Sequence, residues 1–328
     1  MTLIRVCLVG DFSSNPDEGM RRFAVGLRDA LATRAEISLV SPMSALADIK
    51  SVSACRPQIV HYLPGPSPAS LMILKRIKLH LRLCATIATI THPHFVNAKL
   101  IWRMLGPDCV VTFSPTWRKY LSGLVTRARL IPGAIDLQRF TPVSELRKAE
   151  LKNELRLPQE SFIALHVGHL RRGRGLSVLS EFPEHGIVPL IVASQSTGQD
   201  RGLKSRLQAS GCLIQDRYVP DIEKYYQASD CYVFPTTADW RSMDLPQSIL
   251  EAMACNLPVV TTDFGCVRSL FGDAEGVFVV SRDRLMEAVS KVTEMRGVRR
   301  TREAVSGNDW PQFADSILQI YGETLGTI

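Results

Sequence analysis

Short apolar runs alternate with segments of helical pattern along the whole of this 328-residue chain, and that alternation points to parallel α/β layers. In the first half the runs are Ile4–Val9, Ile37–Val40, Ile59–Tyr62, Thr86–Thr91, Cys109–Phe113 and Ala128–Ile131. In the second half they are Ile163–Val167, Pro189–Val192, Cys212–Gln215, Cys231–Phe234, Pro258–Thr262 and Gly276–Val280. Two similar sets predict two Rossmann-like domains, and the length is ample for two cores. The first domain is expected over 1–140 and the second over 161–308. Residues 141–160 are charged and helix-prone up to Pro158, which suits a linker region and the first exposed element of the second domain. Residues 309–328 hold a last amphipathic helix, from Trp310 to Leu325.

Composition narrows the function classes. With 45% hydrophobic and 22% charged residues the chain is ordinary for a globular protein. No apolar run approaches the roughly 18–20 residues that span a bilayer. The first apolar run is interrupted by Arg5 and ends at Asp11, which reads as a strand and not a signal peptide. Eight dispersed cysteines form no C-x-x-C pair, so reduced thiols in a cytoplasmic protein are expected. A net charge of +7 suggests an acidic partner: a nucleotide, a membrane surface or a nucleic acid. No zinc-finger spacing, RNP-like strand or arginine-rich tail supports the last of these.

Residues 244–262 carry the most specific signal. Asp244 and Gln247 have capping-box spacing, and Pro246 stands where a first helical turn tolerates proline. A short apolar helix, Ile249 to Ala254, then leads through Asn256 and Pro258 into a Val-Val-Thr-Thr strand. Glu251 is the only ionisable Asp, Glu, Lys, Arg or His between Asp244 and Asp263. A lone carboxylate on such a helix either sits at a solvated rim or needs a hydrogen-bonding partner, because burying it unpaired is expensive.

The run Leu-Glu-Ala-Met-Ala-Cys-x-x-Pro-Val-Val resembles the nucleotide-site helix of the retaining GT-B glycosyltransferases of family 4. The resemblance implies that Glu251 binds the nucleotide ribose. Its usual partner, a Glu eight positions earlier that contacts the donor sugar, is replaced here by Met243. The adjacent Asp244 is the candidate substitute, beside its more ordinary reading as a helix cap.

Further segments fit the same family in order and at family spacing. Phe162–Leu176 runs from a strand into the loop Gly168-His169-Leu170-Arg171-Arg172-Gly173-Arg174-Gly175, then a helix. Such a loop frees backbone N–H groups and a helix start for phosphate, and guanidinium suits phosphate oxygens. Arg174 and Gly175 stand where a P-loop needs Lys and Ser or Thr, so that reading is rejected. The loop is similar to the family pattern Gly-Arg-Leu-x-x-x-Lys-Gly. Arg174 then takes the Lys position at the donor diphosphate, and His169 the Arg position. A solvated basic turn is the alternative.

In the first half, Asp17-Glu18-Gly19-Met20-Arg21 opens a helix through Leu31 without the G-x-G-x-x-G of a nicotinamide dehydrogenase. The resemblance places Gly19 near the donor phosphate and the acceptor. Thr91-His92-Pro93-His94 follows a strand, where open α/β sheets bind ligands, and resembles the family's loop near the transferred sugar. A packing role for His92 is the alternative. Ile131–Asp136 with Phe140 resembles the interdomain segment, with Asp136 able simply to cap a turn. Val219-Pro220-Asp221 and Ala228-Ser229-Asp230 resemble loops around the nucleotide base.

Residues 71–82 mix Lys75, Arg76, Lys78, His80 and Arg82 with leucines and isoleucines. The stripe suits a helix packed on its sheet, the favoured reading, or a peripheral contact with an anionic membrane.

By resemblance, the chain is expected to adopt an α/β GT-B fold: two facing Rossmann-like parallel-sheet domains with a C-terminal helix crossing back to the first. It is expected to move a hexose from a nucleoside-diphosphate sugar to a carbohydrate or lipid-linked acceptor, with retention. His92, Arg174 and Asp244 are the candidate catalytic residues. Gly19, Gly168, His169, Arg174, Val219 and Glu251 are the candidate donor-binding residues. No D-x-D pair occurs, which fits a metal-independent reaction needing no cofactor beyond the donor. A non-catalytic nucleotide-sugar binder and a GT-B epimerase are the two other classes compatible with these residues.

Overall fold

A computed structural model describes residues 3–13, 18–92, 99–196, 198–237, 242–295 and 300–326. Asp17, Pro93 and His94 lie outside the described residues. The chain divides into two compact units: one comprises 1–134, 242–245 and 310–328, and the other 135–241 and 246–309.

The first unit holds one six-stranded sheet. Its strands are β1 (Arg5–Val9), β2 (Glu36–Val40), β3 (Ile59–Tyr62), β4 (Ala85–Ile90), β5 (Cys109–Thr112) and β6 (Arg127–Leu130). All pair in parallel, in the order β2-β1-β3-β4-β5-β6. The connection reverses direction at β1, so the carboxyl ends of β1 and β3 flank a topological switch point. β3, β4 and β5 are buried at every residue, which explains why they read as unbroken apolar runs.

Helix Trp310–Leu325 belongs to this unit because it packs on helix Gly19–Leu31. A Cβ on Gly26 would lie 2.1 Å from the Trp310 ring, so only glycine lets the helices approach so closely. Phe23 meets Phe113 at 5.3 Å and Phe313 at 5.7 Å, edge to face. Deeper in the unit, His61 Nδ1 lies 2.8 Å from Tyr321 Oη and its Nε2 2.7 Å from Thr89 Oγ1. One ring therefore ties β3 to β4 and to the last helix.

The second unit repeats the design. β7 (Phe162–Gly168), β8 (Ile187–Ala193), β9 (Leu213–Gln215), β10 (Cys231–Phe234), β11 (Val259–Thr262) and β12 (Val277–Val280) pair in parallel as β12-β11-β10-β7-β8-β9. Its switch point lies between β7 and β10. Among the described residues, twelve strands in two sheets thus match the apolar runs of the sequence.

Local details differ from the sequence reading. Residues 135–140 join the second unit, since Ile135 N–H donates to Asn308 O at 2.7 Å and Arg302 donates to Phe140 O at 2.6 Å and Leu137 O at 2.8 Å. Within 141–160, helix Glu145–Glu154 is part of this unit, with Lys148 bonded to Asp230. Helix Gln247–Ala254 starts at Gln247 with Pro246 as its N-cap and no side-chain cap, so Asp244 and Gln247 form no capping box. The extended ψ of 125° at Pro246 places it just outside the helix, although its φ of −64° is helical. The helix after the glycine-rich loop is a 3₁₀ helix, Leu176–His185, with Pro183 inside it. All eight cysteines are free thiols.

His61 makes a pH-dependence testable. Burial pushes its pKa down from 6.5 to about 3, so the folded chain binds fewer protons than the unfolded chain between those values. Stability from this site is complete above pH 6.5 and is lost as pH falls toward 3. A His61→Gln variant should lose up to about 1.4 kcal/mol per pH unit of acid sensitivity in that window. Urea unfolding near pH 7 and near pH 4.5 measures it, and parallel pH curves for the two proteins would reject the assignment.

Candidate active site

In the second unit the candidate groups gather at the carboxyl end of β7. Gly168 ends the strand, and its carbonyl accepts from Ser194 N–H at 2.9 Å, holding the loop's start beside β8. Gly173 and Gly175 adopt φ of 88° and 72°, a region that favours glycine. A Cβ on Gly175 would stand 1.8 Å from Pro235 O. The loop therefore lies backbone-to-backbone on the residues that follow β10, and Thr236 Oγ1 donates to Arg174 O at 3.5 Å.

The three loop arginines separate by burial. Arg172 is exposed and pairs with Asp200 at 2.9 Å, and Arg171 donates through Nε to Gly198 O at 3.0 Å. Arg174 is 7% exposed. A solvated basic turn describes Arg171 and Arg172 but not Arg174, whose buried guanidinium suits an anion at the switch point. His169 is half-buried beside Gly168. Val219 is half-buried in the loop before helix Ile222–Gln227, where Arg139 bonds Pro220 O and Glu223.

Glu251 is 1% exposed, which excludes the solvated-rim reading. Tyr226 Oη donates to its Oε2 at 2.6 Å, a charge-assisted bond that offsets the carboxylate's burial. Beside Tyr226, Tyr232 Oη donates to Ser248 Oγ at 2.7 Å, and Arg174 and Glu251 both act electrostatically on this phenol. Burial raises the Tyr232 pKa far above its usual value. Helix Gln247–Ala254 is closed at its other end by Asn256, with φ of 61°, and by Arg302, which bonds Ala254 O.

In the first unit, Thr91 and His92 follow β4. Both backbone N–H groups donate to Gly65 O at 3.4 Å, and Thr91 Oγ1 lies 3.1 Å from His92 Nδ1. Asp244 is buried, and its N–H donates to Thr91 O at 2.7 Å, so Asp244 and His92 are brought together in this unit. Met243 is buried beside it in sequence. A cavity of about 270 Å³ opens at the β1/β3 switch point, lined by Gly10, Asp11, Glu18, Arg21, Gly65 and His92 among others. Gly19 starts its helix between two lining residues, Glu18 and Met20.

Sequence reasoning missed three polar groups here. Tyr226 gives no sequence signal because its partner is 25 residues away. His166 is treated below. Asp11 pairs with Arg21 at 2.7 Å at the cavity's edge. Burial raises its pKa, but the bonds from Arg21 and Ser13 outweigh this and hold the carboxyl below its usual range.

The comparisons with known proteins bear on the fold and on the second unit. Residues 163–295 match the model of the family described as glycosyl transferases group 1. A putative teichuronic acid biosynthesis glycosyltransferase, TuaC of Bacillus subtilis, is 32% identical over 178 residues, covering 53% of this chain and 43% of that protein. Sucrose-phosphate synthase from Thermosynechococcus elongatus superposes with a TM-score of 0.81 at 17% identity, covering 98% of this chain and 99% of that one. Anabaena HepE, solved in complex with UDP and glucose, superposes with a TM-score of 0.74 at 13% identity, covering 97% and 99%. The fold is GT-B, with its two six-stranded parallel sheets. Over residues 163–295 its second unit is similar to the group 1 glycosyltransferases. The chain spans about half the length of the curated relatives it matches first, 43% and 51%.

The Tyr226–Glu251 bond yields a direct test. Tyr226→Phe should destabilise the second unit by about 1.5–3 kcal/mol, the scale of a hydrogen bond to a charged group. In a double-mutant cycle with Glu251→Gln the two losses should be strongly non-additive. Additive losses in denaturant unfolding would show that the bond contributes little.

Proposed function

We propose that the protein is a hexosyltransferase using a nucleoside-diphosphate sugar, with retention and without a metal. The observation that carries this reading is the buried Arg174 in a glycine-rich loop at the β7/β10 switch point. Arg174 and the loop's N–H groups hold the diphosphate and stabilise it as it leaves. Glu251, fixed by Tyr226, takes the ribose, and Val219 borders the base. His169 and Gly168 complete the phosphate side. In the first unit, His92, which lines the cavity, serves the sugar and the acceptor together with Asp244 and Gly19. HepE's UDP and glucose and TuaC's teichuronic acid pathway support a nucleotide-sugar donor and a carbohydrate or lipid-linked acceptor.

Arg174→Ala should weaken nucleoside diphosphate binding by about 1.5–3 kcal/mol, the scale of a charge-assisted bond. His92→Ala should depress sugar transfer or slow donor hydrolysis about 10²-fold while leaving diphosphate affinity unchanged. A panel of nucleoside-diphosphate sugars, read by calorimetry and turnover, measures both. A donor that binds tightly with no turnover from wild type would instead favour the non-catalytic binder.

The acceptor side also bears on membranes. Among the described residues no helix is long and apolar enough to cross one. Helix Pro68–His80 buries Leu71, Ile73, Leu74 and Ile77 on its sheet, so packing accounts for one face. Another face leaves Met72 60% and Leu79 69% exposed, and the following Leu83 is 85% exposed. Lys75, Arg76 and His80 line a groove of about 430 Å³ with Met72 and Leu79. Apolar side chains among cations suit an anionic bilayer surface. Wild type should co-sediment with vesicles containing about one-third phosphatidylglycerol and not with neutral ones, and Leu79→Glu with Leu83→Glu should abolish this. Equal sedimentation of wild type and variant would remove the patch from the account.

A further inference from the structure

β7 carries a histidine that the assignments above leave without a task. His166 is 1% exposed. Its Nδ1 lies 2.9 Å from Val233 O, and a carbonyl only accepts, so Nδ1 carries the proton. In the neutral ring Nε2 is then a bare acceptor. Among the described residues Nε2 is buried and has no hydrogen-bond partner. Such an atom is costly unless something completes it.

The surroundings show what kind of group that is. A Cβ built on Gly168 would lie 3.1 Å from Nε2, and only ring atoms of His166 lie within 4 Å of that point. Nε2 therefore lies against Gly168, at the head of the glycine-rich loop, with only the missing Gly168 side chain between it and that loop. The ring is fixed there by stacking on Tyr232 at 16° between planes and by Phe234 at 6.1 Å. Three sets of charged or titratable groups bear on it. Arg174 and His169 act from the loop, Tyr232 flanks it on β10, and Glu251 on the helix beyond Tyr232 is bonded to Tyr226. Burial first, then Arg174 and His169, push the His166 pKa down to about 4, against the bond to Val233. The ring is neutral at pH 7 when no ligand is bound.

The ionised oxygens of a diphosphate are acceptors only, so a neutral Nε2 finds no donor among them. An anion there reverses the balance, because it favours the imidazolium that Arg174 disfavours. We propose that His166 is a diphosphate-binding residue whose Nε2 takes up a solvent proton as the diphosphate enters the Gly168–Gly175 loop, and then donates that N–H to a phosphate oxygen. This rests on the reading of the loop as the diphosphate site. It makes donor binding, and release of the diphosphate product, coupled to one proton.

Calorimetry of UDP, GDP, ADP and inorganic pyrophosphate in buffers of different ionisation enthalpy counts the protons. The ligand's own ionisation cancels between wild type and variant. Near pH 6.5, wild type should take up close to one proton more than His166→Gln, whose amide donates without titrating. Affinity should rise up to about tenfold more per unit fall in pH for wild type than for the variant. Pyrophosphate should show the same difference as the nucleotides, since it has no ribose or base group to donate to a neutral ring, and the ring ¹⁵N shifts below separate an imidazolium from a neutral ring that accepts a P–OH. Ring ¹⁵N shifts of wild type should report a neutral His166 in the free protein and a doubly protonated ring in the complex, whether or not the variant folds. Diphosphate binding with a neutral ring, or a proton difference seen with nucleotides and not with pyrophosphate, overturns this proposal and leaves the diphosphate site standing. No binding of any diphosphate overturns both.

Discussion

The approach of Gly175 to Pro235 O is the contact on which the second unit's site depends. Two parallel strands that diverge in connectivity, β7 and β10, leave a gap at their carboxyl ends. The loop after β7 fills it with backbone, and no side chain fits at Gly175. That placement buries Arg174 while its sequence neighbours Arg171 and Arg172 turn to Gly198 and Asp200. One guanidinium is thereby selected from three by a steric constraint at a glycine and not by its own chemistry.

Burying charge at such a place requires a supporting structure. Glu251 is held by Tyr226, Tyr226 lies 5.8 Å from Tyr232, and Tyr232 stacks on His166. These rings lie between the carboxylate on helix Gln247–Ala254 and the end of β7. Among the described residues, polar atoms inside this column are satisfied by Ser248, Val233 and each other, with His166 Nε2 the exception. A column of rings otherwise satisfied makes that orphan informative.

The architecture was legible because buried parallel strands are apolar on both faces. β3, β4 and β10 announced themselves as unbroken runs, and their ends were read to within a residue or two. Motif spacing singled out Arg174 and Glu251, and the structure buries both. Two features were hidden for physical reasons. The start of helix Gln247–Ala254 imitated a capping box, yet Pro246 is the N-cap and Asp244 is bonded through its backbone to Thr91. His166 looked like part of an apolar strand, because a histidine can be buried whenever its donor nitrogen finds a carbonyl across the sheet. Neither Val233 O nor Tyr226 can be located from the sequence, since both contacts bridge distant segments.

The two units apply one rule to different chemistry. Each gathers its candidate groups at the carboxyl ends of strands flanking its switch point, β1 and β3 in one and β7 and β10 in the other. Loops separate there, so backbone N–H groups are freed from the sheet ladder while the strands below stay rigid. In the first unit the resulting cavity is edged by an ion pair, Asp11 with Arg21, and by His92, a mixed lining suited to a neutral polyhydroxyl ligand. In the second unit the lining is cationic and glycine-rich, suited to an anion. The same sheet topology can therefore carry different loop chemistry in the two units, because specificity resides in the loop residues while the buried strands only aim them.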